Sequence, residues 1–71
     1  MEKWFMKFHE RLKLELKNSQ LTQKQIAEKL GIDNSNITKW KSGENSPSLE
    51  VFYQLCILLD VSADYLLGLT D

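Results

Sequence analysis

The chain has 71 residues, room for one small domain, and its hydrophobic content of 42% is enough for a dense core. A single cysteine excludes an internal disulfide and is typical of proteins from a reducing cytoplasm. No apolar run approaches the roughly 18 residues of a membrane span, and the charged start MEKWFMKF is unlike a secretory signal. We therefore expect a cytoplasmic protein without a membrane span.

The net charge of −1 is distributed unevenly along the sequence. All nine Lys and Arg residues lie within residues 1–45, whereas residues 46–71 contain four acidic residues and no basic one. Because positive charge attracts phosphates, we expect any nucleic-acid partner to face the first two thirds of the chain. The basic excess there is small, which predicts weak sequence-independent binding with a shallow salt dependence.

Apolar residues at helical spacing predict a first helix from Glu2 to Asn18. The residues that form this stripe are Phe5, Phe8, Leu12 and Leu16. Trp4, Phe5 and Met6 also form an N-terminal apolar cluster. This cluster is interpreted most simply as cover for the core, and the alternative is a surface for self-association or for a protein partner.

A capping-box pattern, Thr22-x-x-Gln25, predicts that a second helix begins at Gln23. Gly31 follows the helix where a chain needs a residue that tolerates positive φ. The apolar residues between them share one helix face: Ile26, Ala27 and Leu30. Ile32 is then expected to enter the core.

Asp33 is placed to cap a third helix, predicted from Asn34 to Ser42, and Gly43 is its stop. Ile37 and Trp40 are spaced to point inward. The residues predicted to point outward together are Asn34, Ser35, Thr38 and Lys39. Such a polar face is either ordinary solvated surface or a binding surface.

The stretch from Gln23 to Trp40 resembles the helix-turn-helix of the phage-repressor (Cro and XRE-like) family of DNA-binding domains. The positions that carry the resemblance are Gln23, Ile26, Ala27, Leu30, Gly31, Ile32, Ile37 and Trp40. The likeness extends from about Phe8 to Gly68. It implies an all-α fold, a compact five-helix domain with a central helix-turn-helix at about 22–42, and a single domain over 1–71.

The resemblance also implies that the third helix enters the major groove of DNA. The residues expected to read bases are Asn34, Ser35, Thr38 and Lys39, since these side chains match groups on adenine, guanine and thymine. The residues expected to contact phosphates are Thr22, Gln23, Lys24, Asn36, Lys41, Ser42, Asn45 and Ser46. Glu44 departs from the family pattern, because a carboxylate at that point would be repelled by phosphates.

Ser48 is expected to cap a fourth helix from Leu49 to Leu59, and Ser62 a fifth from Ala63 to Leu67. Apolar residues form an inward stripe on the fourth helix: Leu49, Phe52, Leu55, Cys56 and Leu59. Further apolar residues make this helix apolar nearly all round, which predicts a central core element or a second buried face. On the fifth helix, Tyr65 and Leu66 are expected to point inward. Residues 69–71 are expected to be tail or the start of a linker.

Catalytic and metal-binding patterns are missing from the sequence. His9 is interpreted as a surface helix residue, and Cys56 as a small core residue without a nearby positive charge to activate it. We expect no metal, no cofactor and no enzymatic activity.

The leading hypothesis is sequence-specific binding of double-stranded DNA by a transcriptional regulator, of the phage or prophage repressor type. One such module reads few base pairs, which predicts a homodimer on an inverted-repeat operator. The dimer surface is expected near the fourth and fifth helices or the loop before the fourth. Such a protein would be bacterial or phage-encoded and associated with the nucleoid when bound. The alternative is a protein-interaction module, such as an antitoxin or antirepressor-binding domain, acting through the N-terminal apolar cluster or the acidic C-terminal third.

Overall fold

Five α-helices follow one another along residues 6–70, the part of the chain that the computed structural model describes. Their bounds are α1 Phe8–Asn18, α2 Gln23–Leu30, α3 Asn34–Ser42, α4 Leu49–Leu59 and α5 Ala63–Leu67. The described residues contain no strand. The predicted all-α, five-helix architecture is confirmed, with α2 and α3 forming the central helix-turn-helix.

Helix α1 begins later than the sequence pattern predicts. Its first residue is Phe8, so the prediction is wrong for Met6 and Lys7 and is confirmed for Phe8–Asn18, whereas residues 2–5 lie outside the described part of the chain. Lys7 stands at the N-cap position without a side-chain hydrogen bond, since its ammonium group cannot accept one. A helix start without a capping residue is difficult to locate from the sequence. In the structure, α1 begins at the first buried side chain, Phe8.

The other helix starts follow the capping residues. The side chains of Thr22, Asp33, Ser48 and Ser62 each accept a backbone N–H bond from the first turn. The corner of the helix-turn-helix is made by Gly31, whose φ of 69° lies in the left-handed region that glycine adopts at little cost. The N–H of Ile32 donates to the carbonyl of Ala27 at 3.0 Å, which closes the turn.

The core is assembled from all five helices. Its buried apolar side chains are Phe8, Leu12, Ile26, Ala27, Ile37, Trp40, Leu55 and Leu66. Within it, α3 packs against both α1 and α2. The remaining face of α3 is therefore presented outward on a base of two other helices.

Helix α4 is less buried than its apolar composition predicts. Leu55 is its only buried residue, and Leu49, predicted to point inward, is 82% exposed. Tyr53 and Ile57 follow Leu49 at four-residue steps and are exposed on the same side. Leu49 is the first residue of the helix and most of its side chain faces solvent, so its predicted inward placement is wrong. The second apolar face of α4 is left uncovered by the described residues.

Arg11 joins α1 to the C-terminal end of the domain. Its Nη1 donates to the backbone carbonyls of Tyr65, at 2.6 Å, and Thr70. Its guanidinium carbon lies 4.7 Å from the centre of the Tyr65 ring, within range of a cation–π interaction. These contacts hold Tyr65 half-buried beside the fully buried Leu66 and fasten Thr70 to α1.

Candidate nucleic-acid interface

The polar face of α3 is exposed, and the opposite face is anchored in the core. Ile37 and Trp40 are buried against α1 and α2. The four outward residues of the sequence prediction are all exposed: Asn34, Ser35, Thr38 and Lys39. Because the anchoring residues are bulky and enclosed, these four side chains project from a rigid support.

The side chain of Gln23 connects the start of α2 to the outward face of α3. Its Nε2 donates to Oδ1 of Asn34 at 2.8 Å and to Oγ1 of Thr38 at 2.9 Å. It also lies 3.3 Å from the backbone carbonyl of Asn34. These bonds use acceptor atoms, so the Asn34 amide donors and the Thr38 hydroxyl hydrogen stay available to a ligand. Gln23 thus sets the rotamers of two neighbouring side chains.

The N-terminus of α2 presents backbone donors beside this bridge. Thr22 Oγ1 accepts from the N–H of Gln25 at 3.1 Å, and Gln25 Oε1 accepts from the N–H of Thr22 at 2.8 Å. The N–H groups of Gln23 and Lys24, in the first turn, have no partner within an α-helix. Donors at the positive end of a helix dipole suit an anion such as phosphate. The exposed ammonium of Lys24 is next to them in the chain.

Asp33 fixes the N-terminus of α3. Its Oδ1 accepts from the backbone N–H of Ser35 at 2.8 Å. Hydrogen bonds from the backbone and then the side chain of Ser35, with a smaller contribution from the charge of Lys39, hold the pKa of the Asp33 carboxyl below its ordinary range. Asp33 is therefore ionised near neutral pH, and its negative charge favours the helix start.

The loop after α3 contains the other residues predicted to contact phosphates. Lys41 is half-buried, whereas Ser42, Asn45 and Ser46 are exposed. The Ser42 hydroxyl donates to the carbonyl of Lys39 at 3.0 Å, a bond that it would exchange on donating to a phosphate. Asn36, on the inner edge of α3, is half-buried and less accessible than its neighbours.

His9 takes part in positioning α3, which the sequence analysis did not predict. Its Nδ1 lies 2.6 Å from the carbonyl of Trp40, and since a carbonyl only accepts, the Nδ1–H donates. The ring is half-buried and packs edge-on against Phe8. The interpretation of His9 as a plain surface residue is wrong. The contact could not be predicted, because a lone histidine gives no sequence signal of a partner 31 positions away.

Three features of the described residues concern metal binding, membrane insertion and thiol reactivity. Residues 6–70 contain no group of three His, Cys, Asp or Glu side chains arranged to hold a metal ion. None of the helices in this part of the chain has the length and apolar character that a membrane crossing requires. Burial raises the pKa of the Cys56 thiol, which disfavours the reactive thiolate.

Comparison with known proteins identifies the family. The sequence model of the helix-turn-helix family matches residues 12–66, which include the whole interface described above. The chain belongs to the phage-repressor type of helix-turn-helix domains. The predicted family resemblance is confirmed, and it covers the two helices and the corner at Gly31 on which it was based.

Curated relatives of this helix-turn-helix family are similar over most of the chain. An uncharacterized HTH-type transcriptional regulator from Bacillus subtilis, YobD, is 42% identical over 62 residues, which are 87% of this chain and 55% of the relative. The transcriptional regulator ImmR of the same organism is 38% identical over 89% of this chain and 50% of the relative. The cryptic phage CTXphi transcriptional repressor RstR of Vibrio cholerae is 36% identical over 89% of this chain and 56% of the relative. The chain thus spans about half the length of these relatives.

A solved structure has the same fold. The SOS-response transcriptional repressor LexA from Eubacterium rectale superposes with a TM-score of 0.79, at 23% sequence identity. The match covers 86% of this chain and 65% of that one. At this identity, the likeness establishes the arrangement of helices alone.

Proposed function

We propose that the chain is the DNA-binding domain of a sequence-specific transcriptional regulator of the phage-repressor type, with α3 in the major groove. The observation that carries the proposal is the orientation of α3. Ile37 and Trp40 are buried in the core, and the polar face of the helix is exposed to solvent. The family membership and the relatives, which are named as transcriptional regulators, support the same function.

Base reading is assigned to the exposed residues of α3. The amide of Asn34 can pair with adenine, and the ammonium of Lys39 can donate to O6 and N7 of guanine. Ser35 can contact several bases, and the Thr38 methyl can contact a thymine methyl. The bonds from Gln23 support this assignment, since they restrict Asn34 and Thr38 before DNA arrives.

Phosphate binding is assigned to the two ends of the helix-turn-helix. The N-terminus of α2 contributes Thr22, Gln23 and Lys24, whose backbone donors and cation suit a phosphate. The C-terminal end of α3 and its loop contribute Lys41, Ser42, Asn45 and Ser46. Asn36 is kept as a phosphate contact at the edge of the face. These groups would fix the register of the domain on the duplex, while α3 supplies sequence preference.

A homodimer is the proposed form on DNA, with an inverted-repeat operator. Leu49, next to the loop that follows α3, borders an apolar depression of about 300 Å³ with Met6, Pro47, Phe52 and Leu67. None of the residues that line this depression is charged, so the depression itself offers no charge that favours DNA. A two-fold contact here would pair two copies of α3 on half-sites about one helical turn apart.

The regulator function is favoured over the protein-interaction alternative by the relatives. Proteins named as transcriptional regulators, one of them a phage repressor, match 87–89% of the chain. A function as an antitoxin or antirepressor-binding domain has no comparable support. We place the protein on bacterial or phage DNA in the cytoplasm, without a catalytic role or a cofactor.

Selection from a library of random duplexes tests the proposal. Rounds of binding and amplification at about 50 mM salt, where phosphate contacts are strong, should enrich one inverted repeat. Footprinting should then protect two half-sites about ten base pairs apart. The absence of any enriched sequence at this salt concentration would remove sequence-specific DNA binding as the function.

A further inference from the structure

An acidic side chain lies beside the lysine on the outward face of α3. Nζ of Lys39 is 4.0 Å from Oε2 of Glu44, and the two side chains are 47% and 65% exposed. Exposed pairs of this kind add little to folding stability, because water screens the charges. Both charged groups are accessible to a ligand that approaches this face from solvent.

The position of Glu44 is fixed by the end of α3. Its backbone N–H donates to the carbonyl of Lys39 at 3.0 Å, and the N–H of Gly43 donates to the carbonyl of Trp40 at 3.3 Å. Gly43 adopts the left-handed conformation, with φ of 84°, that this helix ending requires. The backbone of Glu44 is therefore held beside the last turn of α3, where its carboxylate reaches Lys39.

We propose that Glu44 is a specificity-determining residue that suppresses phosphate-only binding by Lys39. This inference rests on the proposed function, in which α3 faces DNA. Sequence-independent affinity comes from phosphates neutralised by Lys and Arg. A carboxylate 4.0 Å from Lys39 offsets one of the few positive charges on this face and competes with approaching phosphates for the lysine ammonium.

The carboxylate of Glu44 lowers affinity for a matched operator less than it lowers affinity for other DNA. At an operator, Lys39 donates to a base edge in a fixed direction, and Glu44 restricts the ammonium to the α3 face before binding. On unmatched DNA the lysine has only phosphates to bind, and there the carboxylate is a direct competitor. Glu44 therefore widens the ratio between the two affinities.

The test uses Glu44→Gln, which removes the charge and keeps both side-chain size and the backbone bond to Lys39. Kd values are measured for the selected operator and for a mixed-sequence duplex between about 50 and 200 mM salt. We expect affinity for the mixed-sequence duplex to rise about three- to tenfold at low salt, with a salt slope steeper by about one. Affinity for the operator should rise less than about threefold.

Two further variants separate this effect from general electrostatics. Glu28→Gln removes an equal charge from exposed α2, outside the Lys39–Glu44 pair, and should change both affinities by less than about twofold. In a Lys39→Gln background, Glu44→Gln should have no more effect than Glu28→Gln. Unchanged melting temperatures show that the variants fold.

The outcomes distinguish this inference from the proposed function. If the wild type binds its operator but Glu44→Gln behaves like Glu28→Gln, or raises both affinities equally, Glu44 does not determine specificity. If its effect persists without Lys39, the carboxylate acts on DNA directly and the route through Lys39 is wrong. If no operator is enriched, the proposed function fails, and this inference fails with it.

Discussion

The helix-turn-helix segment, residues 22–45, and the C-terminal segment, residues 46–70, place polar and apolar residues in opposite ways. In the first, the bulky Ile37 and Trp40 are buried, and polar side chains cover the outside. In the second, Leu49, Tyr53 and Ile57 are exposed on one side of α4. Of the two segments, only the first contains lysine, whereas the second contains acidic residues and no basic one.

The difference matches the two kinds of partner proposed above, DNA and a second copy of the chain. A polar face with lysines on a rigid support suits the phosphates and base edges of DNA. The exposed apolar side of α4 suits a protein partner, because binding would remove its apolar surface from water. The overall charge of −1 therefore describes neither surface.

The largest effect is expected on removing the anchor of α3. Trp40→Ala should lower the free energy of unfolding by about 3–5 kcal/mol, because it leaves a cavity under the exposed face. Tyr53→Ala, an aromatic truncation on the exposed side of α4, should change it by less than about 0.5 kcal/mol. Urea denaturation of both variants at low protein concentration gives the comparison. Equal losses would show that the two segments do not differ in this way.

The apolar side of α4 should respond to charge in dimerisation. Leu49→Glu removes apolar burial of about 1.5–3 kcal/mol per copy from a dimer contact and adds repulsion. Sedimentation equilibrium should show the variant as a monomer at concentrations where the wild type is dimeric, with unchanged helix content. Gln54→Glu, on the same helix, is the control for the added charge. A dimer that persists in Leu49→Glu would place the interface elsewhere.

A base-reading side chain should affect preference at one base position. Asn34→Ala should weaken operator binding by about 1–3 kcal/mol and relax selection at a single base pair. Gln54→Ala, an exposed amide truncation on α4, should leave binding unchanged. Competition with operators substituted at each position provides the measurement. If Asn34→Ala and Lys39→Ala both preserve affinity and preference, α3 is not the reader.

Gln23→Ala separates bracing from phosphate contact. As a brace, Gln23 contributes through Asn34 and Thr38, so its loss should weaken operator binding by about 1 kcal/mol and leave mixed-sequence binding unchanged. As a phosphate contact alone, it would weaken both kinds of binding equally. Kd values for the two duplexes decide between these roles.

The smallest effect concerns pH and the cap of α3. Because the pKa of Asp33 is lowered in the folded state, its contribution is complete above the unfolded value of about 4 and is lost as pH falls through the folded value. Asp33→Asn keeps a side-chain oxygen that can cap the helix, and its amide group does not ionise. The stability advantage of the wild type over Asp33→Asn should therefore shrink on acidification below about pH 4. A constant difference from pH 7 to pH 2 would contradict the Asp33 assignment.

Local signals explain how much of the fold was predictable. The bounds of α2, α3, α4 and α5 agree with the sequence prediction, because capping residues precede each helix and three of the four are followed by glycine. Helix α4 ends instead at Asp60, whose φ of 56° is unusual for a residue with a Cβ atom. The start of α1 was missed since Lys7 cannot cap.

Contacts between distant residues could not be predicted. The bonds of Arg11 and His9 span 54 and 31 positions, and no periodicity or spacing encodes them. Exposure of Leu49 was missed for a related reason, because an apolar stripe does not tell where its neighbouring helices stop. At the interface, the exposure of the α3 face follows from helical periodicity, but the acceptors chosen by Gln23 and the Lys39–Glu44 distance depend on tertiary geometry. Their roles on DNA stay predictions.

Helix α3 is held near both ends by side chains from other helices, Gln23 of α2 at one end and His9 of α1 at the other. With a contact near each end, α3 is restrained from tilting relative to α1 and α2. New operator preferences can therefore arise by exchanging outward side chains without reorienting α3. Conversely, we expect a change at His9, which is not among the proposed base-reading residues, to shift the end of α3 near Trp40 and to alter several base preferences at once.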